Sequence, residues 1–431
     1  MDQLFARLEA ALGAGAVESD PRLLDCYTVD GKAPKILCRP GTPEEISAGL
    51  RICTEARVSV IPWGGGTSIN LGNIPRGVDV VIGLERLGAV IEHDGANLTA
   101  TGQAGISVAA MQKILGQQNQ FLAIDPPQPG LATIGGLVAA NSNGPRRMLY
   151  GGVRDLVLGM KMVLATGEQI KAGGKVVKNV AGYDLCKLFV GSLGTLGIIT
   201  EATFKMAPIP ESVATLLARG SLTQVLKVSD ELSRSTLLPA GVAILSSEVI
   251  KAAGMGLGMS AVAVWIEGLE EAVSRHLRDL KTIAERLGLS SDTLRREPHR
   301  RLWDQVRDFG ANSEGILYRV TVPLASVAEA VATIDRWSTH ERVARIVAHV
   351  GTGTVWVLLD ADPLSAGWFP RLIALAQEHR GHAIMAAAPR ALKEGVDVWG
   401  PPPPSFAIMR EIKHQFDPEG ILNPGRFVAG L

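Results

Sequence analysis

The chain has 431 residues, enough to bury two or three cores. Its 43 basic and 43 acidic residues cancel, which excludes a global field for nucleic acid or an anionic membrane surface. The four cysteines (Cys26, Cys38, Cys53 and Cys186) lack CxxC or zinc spacing, and no apolar run reaches the roughly 18 residues of a spanning helix. A reduced, cytoplasmic, globular protein without an iron–sulfur cluster or structural zinc is expected.

In chain order, Leu4, Leu8 and Leu12 give the opening segment the spacing of an amphipathic helix, part of a helical lead-in over residues 1–32. TPEEISAGLRICTEA predicts a helix with Thr42 as N-cap and Pro43 in its first turn. The β-branched runs VSVIP, VDVVIGL, GAVIEHD, NLTATGQA, KMVLATG and IITEATFKM predict strands. The double proline of MAPIPE places a domain boundary near residue 209. Beyond it, a strand–helix–strand–strand–helix order occurs twice over 210–396. The first copy has strands VATLLA, AGVAIL and AVAVWIE, and the second ILYRVTV, VARIVAHV and TVWVLLD. That order suits an antiparallel sheet with helices on one face. DVWGPPPP breaks the pattern again before a C-terminal segment, 397–431, with the helix SFAIMREIKHQF.

Many of the 48 glycines sit in short loops, where backbone can approach a ligand closely. Pro62-Trp63-Gly64-Gly65-Gly66-Thr67-Ser68 follows a strand directly, and Gly72 lies just beyond. Successive unobstructed amides there can make a concave anion site, helped by two hydroxyls. A plain glycine turn is the competing reading. Thr133-Ile134-Gly135-Gly136, with Asn141 and Gly151 downstream, is a second element of this type. A third runs from Lys178-Asn179-Val180-Ala181-Gly182 into Gly191-Ser192-Leu193-Gly194-Thr195-Leu196-Gly197-Ile198-Ile199. A packing glycine pair at a helix start would explain the second singly, and close packing against a neighbouring strand the third.

Together, in this order, the three resemble the FAD-binding domain of the vanillyl alcohol oxidase (PCMH-type) family, in its FAD-linked oxidase branch. The terminal run FDPEGILNPGR extends the resemblance to nearly the whole chain. KVVKNVAGYDLCKLFVGSLGTLGIITEATFKMAP is most similar to the FAD-binding E subunit of bacterial glycolate oxidase. The resemblance implies an α+β protein: a two-subdomain FAD-binding domain over 33–209, a ferredoxin-like cap over 210–396, and a tail returning to the FAD domain. It implies FAD held by Pro62, Trp63, Gly64, Gly65, Gly66, Thr67, Ser68, Gly72, Thr133, Gly135, Gly136, Asn141, Gly151, Gly191, Gly194, Thr195, Gly197, Ile199 and Asn423. Covalent members carry a histidine directly after the glycine run; Thr67 stands there, so the flavin is expected to be non-covalent.

Catalytic members of the branch carry HxGDGNxH, whose histidines hold a divalent metal. The matching stretch here is His349-Val350-Gly351-Thr352-Gly353-Thr354-Val355-Trp356, so one imidazole remains and no metal is expected. Trp399 falls where the family has a histidine base, and tryptophan cannot take a proton. His349 and Arg307 are left as catalytic candidates, the alternatives being a buried core histidine and a surface helix arginine. The implied role is the FAD-binding subunit of a glycolate oxidase, beside a catalytic flavoprotein subunit and an iron–sulfur subunit. A self-sufficient FAD-dependent D-lactate or 2-hydroxy-acid dehydrogenase and a flavin-free scaffold are the alternatives.

Overall fold

The computed structural model describes residues 1–175, 183–255, 258–339 and 342–431. The Lys178–Gly182 part of the third glycine element lies outside the described residues. The chain divides into two units: residues 1–142, 152–208 and 393–431 form the first, and 143–151 with 209–392 the second. This division departs from the sequence reading in three places. The 1–32 lead-in is built into the first unit, the tail begins at Lys393, and residues 143–151 belong to the second unit.

Two larger sheets and one two-stranded ribbon, Gln120–Phe121 with Ala207–Pro208, make up the strands of the first unit among the described residues. In the four-stranded one, Val17–Glu18 pairs antiparallel with Ile36–Cys38, and Ile36–Cys38, Val80–Gly83 and Val60–Trp63 run parallel. Its crossover is the helix Pro43–Ala56, started by Thr42, whose side chain accepts from the Glu45 amide. Gly49 in that helix lets Leu8 and Leu12 of the helix Asp2–Leu12 approach. The second sheet is five-stranded and antiparallel, in the order Val90–Asp94, Thr99–Gln103, Ile198–Lys205, Val157–Val163, Gln169–Gly173.

The second unit contains one eight-stranded sheet, antiparallel at every pairing. Its strands are β1 (Ser212–Gly220), β2 (Gly241–Leu245), β3 (Ser260–Gly268), β4 (Ser290–Leu294), β5 (Ile316–Thr321), β6 (Arg345–His349), β7 (Thr354–Leu359) and β8 (His382–Ala387). They lie in the order β4-β1-β3-β2-β6-β7-β5-β8. Each half is a ferredoxin-like βαββαβ unit, and the halves join where β2 pairs with β6. The repeat read from sequence therefore needs a closing strand in each copy, β4 and β8. Alternation divides the sheet faces. Tyr318, whose hydroxyl donates to the Ser365 carbonyl at 3.0 Å, points towards the helices, and its neighbour Arg319 points the other way.

Candidate functional site

Four segments of the first unit converge at the carboxyl end of its parallel strands, where ligands of such sheets usually sit. The glycine run leaves the strand Val60–Trp63. Beside it, Leu131-Ala132 leads into the helix Ile134–Ala140, whose N-cap Thr133 accepts from the Gly136 amide. The loop 191–197 is pinned to the far end of that helix: the Gly191 amide donates to the Val138 carbonyl at 3.0 Å, and Leu193 to Ala139 at 2.8 Å. Finally the tail runs alongside Val60, whose amide donates to Ile421 while its carbonyl accepts from Asn423.

Glycine is demanded at several of these contacts by neighbouring atoms. A Cβ on Gly64 would lie 2.2 Å from Thr133 Oγ1, and one on Gly65 1.8 Å from the Leu131 carbonyl oxygen. Gly194 (φ +68°) faces Pro62 and Asn423, and Gly72 (φ +113°) backs onto the Arg426 carbonyl. Pro62, Trp63, Gly64, Gly65, Gly66, Thr67, Ser68, Gly135, Gly136, Gly194, Ile199 and Asn423 line the resulting cleft. Leu193, Ala139 and Arg426 join them, although none was among the residues chosen from sequence.

Other candidates have local tasks. The Thr195 hydroxyl donates to the Ser192 carbonyl, and the Thr195 carbonyl accepts from buried Lys413. Asn141 ends the helix Ile134–Ala140 in the left-handed region, next to Gly191. Gly197 packs against Phe189. Gly151 ends the short helix Arg147–Tyr150 and belongs to the second unit. Lys413 donates also to Asp417 and to the Leu422 carbonyl, tying the final helix to the tail.

The donor set of the cleft fits a dinucleotide. Among the described residues no protein acceptor meets the amides of Gly65, Gly66, Thr67 and Ser68. Such a run of free donors is what a pyrophosphate requires. Asn423 Oδ1 and Arg426 Nη1 are buried without partners at the same cleft. Neighbouring atoms of these side chains are engaged, Asn423 Nδ2 with the Leu193 carbonyl and Arg426 Nη2 with the Ile69 and Leu71 carbonyls.

In the second unit, His349 ends β6 and faces Thr354 of β7 across the turn Val350–Thr352. Trp356 stands opposite Val347, so residues 349 and 356 share a sheet face. A hairpin of this register would present a second imidazole at 356 beside the first; here an indole takes that place. Burial pushes the His349 ring down to about 4, and its Nε2 has no partner. No group of three or more His, Cys, Asp or Glu converges as a metal site among the described residues. Trp399, in the first unit, donates from Nε1 to the Arg426 carbonyl at 3.0 Å and packs edge-on to Phe427.

The other candidate, Arg307, is held by Asp304 at 2.7 Å and by both oxygens of Asp308, so its guanidinium is already engaged. On the sheet face opposite Tyr318, where the helix Arg296–Arg307 packs, Glu267 accepts from the Tyr150 hydroxyl at 2.5 Å and pairs with Arg146 at 3.3 Å. Arg146 also lies 4.4 Å above the Trp265 ring. Thr215 Oγ1 accepts from Trp303 Nε1 and bonds His299 Nδ1, a ring that desolvation and Arg146 hold down at about 4. The segment 143–151 is thereby fastened to the sheet, with Pro145 against Gly241 and Met148 against Gly351.

Comparison with known proteins agrees with this geometry. Residues 34–173 match the FAD binding domain family, and 209–393 with 402–427 match the C-terminal domain of FAD linked oxidases. Glycolate oxidase subunit GlcD of Bacillus subtilis is 31% identical, over 92% of this chain and 89% of its own. D-lactate dehydrogenase of Anaerostipes hadrus is 29% identical, over 94% of this chain and 92% of its own. Among solved structures, p-cresol methylhydroxylase superposes with a TM-score of 0.76 at 17% identity, over 99% of this chain and 96% of that one. No helix among the described residues is long and apolar enough to cross a membrane.

Proposed function

This chain belongs to the FAD-linked oxidase family as an FAD-dependent oxidoreductase, and we propose that it is the flavin-carrying subunit of a 2-hydroxy-acid-oxidising complex of the glycolate oxidase type. Its partners on this reading are a catalytic flavoprotein subunit and an iron–sulfur subunit, the GlcD likeness supporting the first connection. The observation that carries the reading is the β6–β7 hairpin, with His349 faced by Thr354 and Trp356 in place of further metal ligands.

FAD bound in the cleft supplies a reversible acceptor for hydride or single electrons. The chain's own residues bind and orient it. The amides of Gly65 to Ser68 would donate to the pyrophosphate, while Asn423 Oδ1 and Arg426 Nη1 offer an acceptor and a donor. Leu193 and Ala139 would keep water from the cleft wall. Thr67 cannot form the link a histidine would, so the flavin is held reversibly. Taking hydride from a 2-hydroxy acid also requires its hydroxyl proton to be accepted, a role worth about 10²–10⁴-fold in rate. His349, the remaining candidate base, is buried in the second unit, and Trp399 Nε1 is spent on a carbonyl.

The test is steady-state oxidation of glycolate and D-lactate by the purified, FAD-loaded chain with a dye acceptor, with and without zinc or manganese. Negligible turnover is expected alone, and activity on adding the partner subunits. Acid precipitation should leave the flavin in the supernatant. Turnover near the median enzyme rate of about 10 s⁻¹ by the isolated chain would replace the subunit reading with a self-sufficient dehydrogenase, the activity named for several relatives.

A further inference from the structure

Directly after the glycine run, four successive carbonyls are gathered onto two buried cations. Arg426 Nη2 donates to the carbonyls of Ile69 and Leu71. Lys393 Nζ donates to those between them and beyond, Asn70 at 2.8 Å and Gly72 at 3.4 Å. Both cations come from the tail of the first unit, and each residue is only 2% exposed. A trans peptide sets its C=O and N–H antiparallel. Carbonyls turned onto the cations therefore turn the positive ends of their peptide dipoles away from them.

The charges beneath this segment do not balance. Asp30 bonds Lys393 Nζ through Oδ1 at 2.8 Å, and its carboxylate also attracts Arg426. One acid thus answers two cations, and each cation repels the other. Among the described residues no salt bridge joins Arg426, and its Nη1 is buried without a partner where it lines the cleft. Desolvation pushes Arg426 down to about 10, still far enough above neutrality to keep its charge. A buried cation in excess is costly unless an anion reaches it. A purely structural pairing would need one cation for one acid.

We propose that Lys393 and Arg426 are positioning residues for the cofactor, which hold the carbonyls of residues 69–72 and lend the pyrophosphate the positive charge that Asp30 leaves unbalanced. The inference rests on the reading that FAD occupies the cleft, and deepens it. The free amides of Gly65 to Ser68 carry no formal charge, whereas a pyrophosphate is strongly anionic. The two cations supply the missing attraction from behind the loop, where low dielectric lets a charge act further than it would in water. Arg426 Nη1 adds a donor at the cleft itself. Asp30 opposes this attraction while keeping Lys393 in place.

Dilution of the FAD-loaded full chain, followed by flavin fluorescence, measures the dissociation constant. Arg426→Gln should weaken FAD binding about ten- to hundredfold, the range for one charge-assisted hydrogen bond. Arg426→Lys keeps the charge without the fork and should recover most of that loss. Asp30→Asn separates positioning by charge from a merely structural role. It removes the opposing charge, keeps the Oδ1 acceptor and suits the left-handed φ of +46°. FAD should then bind at least as tightly as in wild type, whereas a structural network deprived of its ion pair would grip FAD less. Arg57→Gln, which loses only an exposed pair with Glu419 of the same tail, should bind as wild type does. Circular dichroism checks folding, and Asp30→Asn keeps the test open should Arg426→Gln not fold. Unchanged affinity in a folded Arg426→Gln, no recovery in Arg426→Lys, weaker binding in Asp30→Asn or an equal loss in Arg57→Gln each overturns the proposal. A wild type that takes up no FAD overturns the proposed function as well, so the two failures are told apart.

Discussion

Replacing Gly65 by alanine adds a single methyl group where the two phosphate-side loops touch. The new Cβ would lie 1.8 Å from the Leu131 carbonyl oxygen and 2.6 Å from its carbon. Ordinary contact begins at 3.4 Å, so the loops must part by roughly 1.6 Å, an overpacking that costs about 1–3 kcal/mol. Flavin gripped by both loops would lose its grip as well. At a hundredfold excess over its dissociation constant, a ligand contributes about 2.7 kcal/mol to stability, and that linkage would vanish. At about 2–4 °C per kcal/mol, the combined loss should lower the first unit's melting temperature by roughly ten degrees. Differential scanning fluorimetry with and without added FAD measures this, and visible absorbance reports flavin content. Gly130→Ala is the control: nothing lies within 4 Å of its Cβ, and its φ is not positive. That variant should keep its flavin and be neutral or slightly stabilised through the unfolded chain. Full flavin occupancy and an unchanged midpoint in Gly65→Ala would refute the close-contact argument. A charged substitution at this position would be harder to interpret, because the methyl clash comes before any repulsion of phosphate.

Two further outcomes follow from buried groups. His299 and His349 are each held down at about 4, against roughly 6.5 in an unfolded chain, so unfolding takes up protons between those values. The second unit's stability should be complete above pH 6.5 and fall as pH drops towards 4, by up to about 3 kcal/mol per ring; thermal midpoints across that window, flat in wild type, would contradict it. Lys413→Met should leave Asp417 buried without its cation at a cost of about 3–5 kcal/mol, loosening the Thr195 and Leu422 carbonyls it holds. Reduced flavin retention on gel filtration, with the second unit still folded, is the expected result; wild-type retention would show that the anchor does not position the cleft.

The glycine loops were legible because the requirement for missing side chains is written directly in the sequence. Backbone proximity leaves few residues other than glycine able to serve. Thr42 before Pro43 likewise announced its helix, since cap chemistry is local. The closing strands β4 and β8 were not legible, and their position explains why. Both are edges of the eight-stranded sheet, where SSDTL is mostly exposed and polar, a pattern that guards against stray pairing and erases alternation. Attachment of residues 143–151 to the second unit depends on Glu267, more than a hundred positions away, and no local pattern encodes it. Arg319 did leave a trace, a lone charge inside the apolar strand ILYRVT. Its setting required the register that places it opposite Trp356.

The three-piece construction of the first unit has a consequence for synthesis. Val60 receives its partners Ile421 and Asn423 only after more than three hundred intervening residues have left the ribosome. All eight strands of the second unit's sheet emerge earlier, so that sheet can close while the nascent first unit still lacks one wall of its cleft. Cofactor loading then becomes a late event, gated by the emergence of Ile421 and Asn423. A chain released without residues 421–431 would hold a finished sheet and an open cradle.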